Sequence, residues 1–105
     1  MICRMWHGLT SHENADEYEN FLRDVGFASI AKKNIEGYKG IHLLRRQHPA
    51  ETEFITLMWF ETIEDIKRYA GEDYEKAAVL DRAKEVLSHY DSHSQHYEIR
   101  LEHKI

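Results

Sequence analysis

Apolar positions recur along this chain with two spacings, one strand-like and one helix-like, and the switches between them mark its elements. The most apolar stretch is Phe54-Ile55-Thr56-Leu57-Met58-Trp59-Phe60, too short for a typical helix and rich in β-branched and aromatic residues. It reads as a central strand buried on both faces. Ile55, Leu57 and Trp59 point one way, while Phe54, Thr56, Met58 and Phe60 point the other. One covering layer buries only one of these sets. A second surface must meet the other.

The same logic orders the rest of the chain. In Met1 to Leu9, Cys3, Met5 and His7 alternate with Ile2, Arg4 and Trp6, which predicts a first strand. Thr10 with Glu13, or Asn14 with Glu17, offers a capping box for a helix whose apolar face is Tyr18, Phe21, Leu22 and Val25. Gly26 interrupts or ends that helix, and Phe27, Ile30 and Ala31 extend the apolar face. A second strand spans roughly Tyr38 to Gln47. His48-Pro49-Ala50-Glu51 then forms the turn of a hairpin with the central strand. Thr62 with Asp65 repeats the capping pattern before Ile63, Ile66, Tyr69 and Ala70, and Gly71 stops this short helix. A further helix is predicted from about Tyr74 to His89, with Val79, Leu80, Ala83, Val86, Leu87 and Tyr90 as its stripe. After the polar Asp91 to Gln95, a last strand runs from His96 to Glu102.

Strand, helix, strand, strand, helix pair, strand is the β-α-β-β-α-β order of a ferredoxin-like α+β fold, with a four-stranded antiparallel sheet and helices on one face. The bare face needs a partner, and a homodimer packed sheet to sheet is the economical solution.

Composition narrows the function classes. The 105 residues fit one domain, 1–105, and the net charge of −5 comes without any basic stripe, which argues against nucleic acid. A single cysteine, Cys3, allows no intrachain disulfide. Neither a basic leader with an apolar run nor a span of about 20 apolar residues is visible, so a cytoplasmic protein with no membrane partner is expected.

Several motifs, taken with the element order, resemble the antibiotic biosynthesis monooxygenase superfamily of dimeric α+β barrels. They are Trp6-His7-Gly8, Gly37-Tyr38-Lys39-Gly40, Leu44-Arg45-Arg46, Leu57-Met58-Trp59 leading into Glu61-Thr62-Ile63-Glu64-Asp65-Ile66, Ala70-Gly71-Glu72-Asp73-Tyr74-Glu75 and His96-Tyr97-Glu98. The resemblance implies a homodimer and a cavity between helices and sheet that takes a small molecule. Known members include cofactor-independent oxygenases that convert phenols to quinones, haem-degrading enzymes, and proteins that process small signalling molecules. The haem-degrading residues would fall near Trp6 or His7, on Tyr69 and near Val79, where none matches, so haem breakdown is disfavoured.

Oxygenation without metal or flavin needs a base, anion-holding donors and a dry pocket. His7, His42 and His96 are the histidines on predicted strands, and His96 and His7 are the candidate bases. Trp6, Trp59, Tyr69 and His42 are the candidate walls of a substrate pocket. The competing reading makes each of them a core or interface residue. His89, His93 and His96 have a metal-like spacing, but Tyr90-Asp91-Ser92 ends the predicted helix and should splay them apart. No cofactor is expected. Two classes of function stay open: an oxygenase-type enzyme on a small aromatic or conjugated molecule, and a non-catalytic ligand-binding or stress-associated protein of the same fold.

Overall fold

The computed structural model describes residues 1–104. Its elements are β1 (Ile2–Thr10), α1 (Ala15–Phe21), a π-helical turn (Leu22–Gly26), α2 (Phe27–Lys32), β2 (Tyr38–Gln47), β3 (Thr52–Phe60), α3 (Ile63–Ala70), α4 (Asp81–Val86), β4 (Leu87–Tyr90) and β5 (Gln95–Glu98). The sheet is antiparallel in the order β2-β3-β1-β4, and β5 also pairs with β1. This is the ferredoxin-like strand arrangement, with one change. Five strands are present because two short ones share the fourth position: β5 runs along Ile2 to Met5 and β4 along Gly8 to Thr10. Between them the Asp91 amide donates to the His7 carbonyl, which keeps the edge attached.

Register fixes which alternating set is covered. Ile2, Arg4, Trp6 and Gly8 of β1 lie beside Phe60, Met58, Thr56 and Phe54 of β3, and Ile41 and Leu43 of β2 continue the same face. The helices pack there. Tyr18, Ala83 and Val86 close on Phe54 and Trp6, and Ile66 with Tyr69 closes on Met58 and Phe60. Cys3, Met5, His7, His42, Leu44, Ile55, Leu57 and Trp59 occupy the opposite face, beyond both core clusters.

Local signals set the helix ends where side chains can reach. In α3 the Thr62 hydroxyl accepts from the Asp65 amide while the Asp65 carboxylate accepts from the Thr62 amide, the reciprocal capping box expected from sequence. Gly71 follows, with φ of 91°, where its lack of a Cβ removes the strain. The α1 signals behave differently. Thr10 belongs to β1, and Asn14 is the N-cap residue without a side-chain bond to the helix. Gly26 does not end the helical path, which passes through the π-turn into α2.

The predicted helix from Tyr74 to His89 is corrected: only Asp81–Val86 is helical, and Leu87–Tyr90 is strand. Backbone bonds from Ala77 to the Ser92 carbonyl and from Ser94 to the Glu75 carbonyl hold the first part extended. Pairing of Leu87 with Thr10 unwinds the last part. Long-range ladder bonds thus replaced the local helical ones. The last strand is also shorter than expected and starts one residue earlier, at Gln95–Glu98 rather than His96 to Glu102.

Candidate active site

A cavity of about 200 Å³ lies between the helix layer and the sheet. Its sheet-side wall includes Arg4, Trp6, Ile41, Thr56 and Met58. The helical side contributes Tyr18, the π-turn residues Leu22 and Gly26, and Tyr69 of α3, and the extended Ala78-Val79-Leu80 closes one flank. The π-turn has a structural consequence here, since one wider turn presents Gly26 to the cavity where an α-helix would continue its ladder.

Trp6 is held in place from two sides. Its Nε1–H donates to the Asp91 carbonyl at 2.8 Å, and its ring lies across Gly8 so closely that a Cβ there would sit 2.9 Å from the indole. Arg4 is the charged group deepest in this region, 5% exposed. Its Nη1–H groups donate to the Tyr74 carbonyl and to His96 Nε2, the latter at 2.9 Å, and its guanidinium stands 5.8 Å from the Tyr69 ring centroid. Arginine has no acceptor to offer, so His96 Nε2 must accept, and the histidine proton belongs on Nδ1. Burial lowers the His96 pKa, and the Arg4 charge lowers it further, against a smaller upward pull from Glu75. Burial raises the Tyr69 pKa and the Arg4 charge opposes that rise. Near neutral pH the site therefore contains a cation, a neutral imidazole and a neutral phenol.

The sequence-predicted residues divide between the two faces of the sheet. Trp6 and Tyr69 line the cavity. His96 is bonded to Arg4 but does not itself line the cavity. Trp59 lies on the opposite face, where its Nε1–H donates to His42 Nδ1 at 2.9 Å, and the two line a separate, open recess with Cys3 and Tyr97 rather than this cavity. His7 is on that opposite face too, its Nδ1 2.9 Å from an Asp91 carboxylate oxygen. The reason is the period of two: an odd step along β1 or β3 reverses the direction of the side chain. His89 and His93 turn to Glu51 and Ser92, away from His96. Sequence reasoning passed over Arg4. The available signal was a charged residue in the same alternating set as Ile2 and Trp6.

No family model matches this chain, and no curated protein matches it. Among solved structures it is similar to a Bacillus cereus protein described as a putative antibiotic biosynthesis monooxygenase. The TM-score is 0.70, and the superposition covers 99% of this chain and 97% of that one at 13% sequence identity. The two share a fold. At that identity the likeness speaks for the fold alone. In the described residues no helix is long and apolar enough to cross a membrane.

Proposed function

We propose that this chain is a cofactor-independent monooxygenase of the antibiotic biosynthesis type, acting on a small electron-rich aromatic or conjugated molecule as a homodimer. The observation that carries the reading is the apolar cavity between helices and sheet, walled by Trp6 and Tyr69 with a guanidinium at its sheet-side wall. A cavity of about 150 Å³ is known to accommodate benzene. The 200 Å³ here therefore suits a single substituted ring better than a fused three-ring system. In the reaction, one oxygen atom of O2 enters the ring carbon and the other leaves as water with two hydrogens of the substrate. The substrate supplies the electrons, and the protein holds its anion and excludes water.

None of the chain's histidines lines this cavity among the described residues, which favours a second reading, a binding protein without turnover. Oxygen-electrode assays with one-ring polyphenols and with anthrone separate the two. A saturable, protein-dependent uptake on the one-ring compounds supports the enzyme. Binding of those compounds with no uptake above the buffer rate leaves only the binding protein, and faster turnover of anthrone would overturn the size argument.

A further inference from the structure

Arg4 has an uncommon position for a charged side chain. It is 5% exposed, and among the described residues no carboxylate stands within ion-pair reach. Its Nη1 hydrogens are committed to the Tyr74 carbonyl and His96 Nε2. Both of those acceptors are neutral. The donors on Nε and Nη2 have no protein acceptor among the described residues, and Arg4 borders the cavity. A buried guanidinium without a counter-ion is costly unless something else supplies the charge and the remaining acceptors. The Tyr69 ring compensates in part, through its π face.

The rest of the lining has the same polarity. Lys33 is the only other formally charged residue around the cavity, and it is also a cation; no Asp or Glu lines it among the described residues. A chain with net charge −5 has thus placed two cations and, among the described residues, no anion around this recess.

We infer that Arg4 makes this cavity a receptor for a small flat monoanion, a carboxylate or an ionised phenol or enol, held by the guanidinium against Trp6 and Tyr69. The fork of guanidinium donors matches two oxygens of a carboxylate, or an oxygen pair on an ionised enol. His96 is a positioning residue in this arrangement. Its neutral Nε2 accepts from Nη1 and fixes the plane of the guanidinium, and its own protonation would set two cations against each other. The inference rests on the small-molecule cavity of the proposed function and names its ligand class. It holds for an enzyme or a binding protein alike.

Trp59→Phe protein leaves Trp6 as the sole tryptophan, so its fluorescence reports the cavity. In that background benzoate, salicylate and 4-nitrophenolate are titrated at pH 7.5 against benzamide and benzyl alcohol as neutral isosteres. Anions are expected to bind at least tenfold more tightly than their neutral counterparts. Arg4→Met should remove that ratio while leaving benzamide within about twofold, and Arg4→Lys should retain part of it. His96→Gln should keep the ratio, because glutamine also offers an acceptor to Nη1, whereas His96→Leu, which offers none, should reduce it. Equal affinities for benzoate and benzamide in the unaltered site overturn the inference, with or without a folded Arg4 variant. Failure of every probe to quench Trp6 at millimolar concentration overturns it as well. Anion binding without oxygen uptake would keep the inference and remove the oxygenase. Uptake on a neutral substrate that benzoate does not inhibit would do the reverse.

Discussion

His96 illustrates how much one contact changes a residue's chemistry. Read from sequence it is a candidate base. In the folded chain its Nε2 lone pair is occupied by Arg4, and burial with that neighbouring charge holds its pKa below the ordinary 6.5. The sign of the pH dependence follows. As pH falls, the unfolded chain takes up the His96 proton first, so the native state loses relative stability. The contribution is complete above about pH 6.5 and is lost as pH falls through the lower folded-state value. Urea unfolding from pH 7.5 to 5 should therefore fall less steeply for His96→Gln than for the natural chain, because glutamine keeps an acceptor and cannot charge. Identical pH profiles would remove the Arg4–His96 bond from the account. Trp6 shows the complementary case, a side chain placed by a glycine. Gly8 leaves room for the indole to cross it, and only the absence of a Cβ permits that approach.

At the scale of elements, the chain does best where side chains cap their own backbone and worst where elements compete for distant partners. The Thr62–Asp65 box is local, and it forms. The π-turn is local in geometry but functional in consequence, since it lets Gly26 line the cavity. Gly26 has φ of −61° and ψ of −60°, which alanine adopts without strain, and a Cβ there meets only the Leu22 side chain, at 3.4 Å. Gly26→Ala should thus stabilise the fold by about 0.5–1 kcal/mol, as alanine does over glycine in helices. The added methyl projects beside the recess, so the same variant should bind one-ring ligands several-fold more weakly. Thermal unfolding and the Trp6 titration read the two effects separately. Loss of stability would show that the Leu22 side chain does not accommodate the methyl, and unchanged affinity would show that Gly26 has no part in shaping the cavity.

The whole molecule presents one sheet face to the helices and another to its surroundings. On the outer face Leu44 and Tyr97 are exposed, and Ile55, Leu57 and Trp59 are only half-buried in the single chain. An apolar face of that kind is the expected contact between two copies. Sedimentation at micromolar concentration should give a dimer, and Leu57→Asp should give a folded monomer, because Leu57 lies outside both core clusters. Phe54→Ala is the contrasting change three residues away. Its side chain is fully buried under Tyr18, so it should cost about 3–5 kcal/mol of stability. A Leu57→Asp protein that unfolds, or remains a dimer, would place the contact elsewhere.

Periodicity along the chain determined the first three strands, the hairpin through His48-Pro49-Ala50-Glu51 and the two-faced character of β3, because alternation and turn chemistry are local properties. The tertiary structure alone decided which face of each strand the helices cover. A period of two is symmetric between the faces, so Trp6 and Trp59 read alike until register sets one in the cavity and the other outside. It also decided the fate of residues 74 to 90, where ladder bonds to β1 and to Ser92–Ser94 outweighed a stripe that reads as helix. The meeting of Arg4 with His96 was beyond any local signal. It depends on β1 and β5 becoming neighbours from opposite ends of the chain, and on that pairing setting the two residues side by side on the helix-covered face.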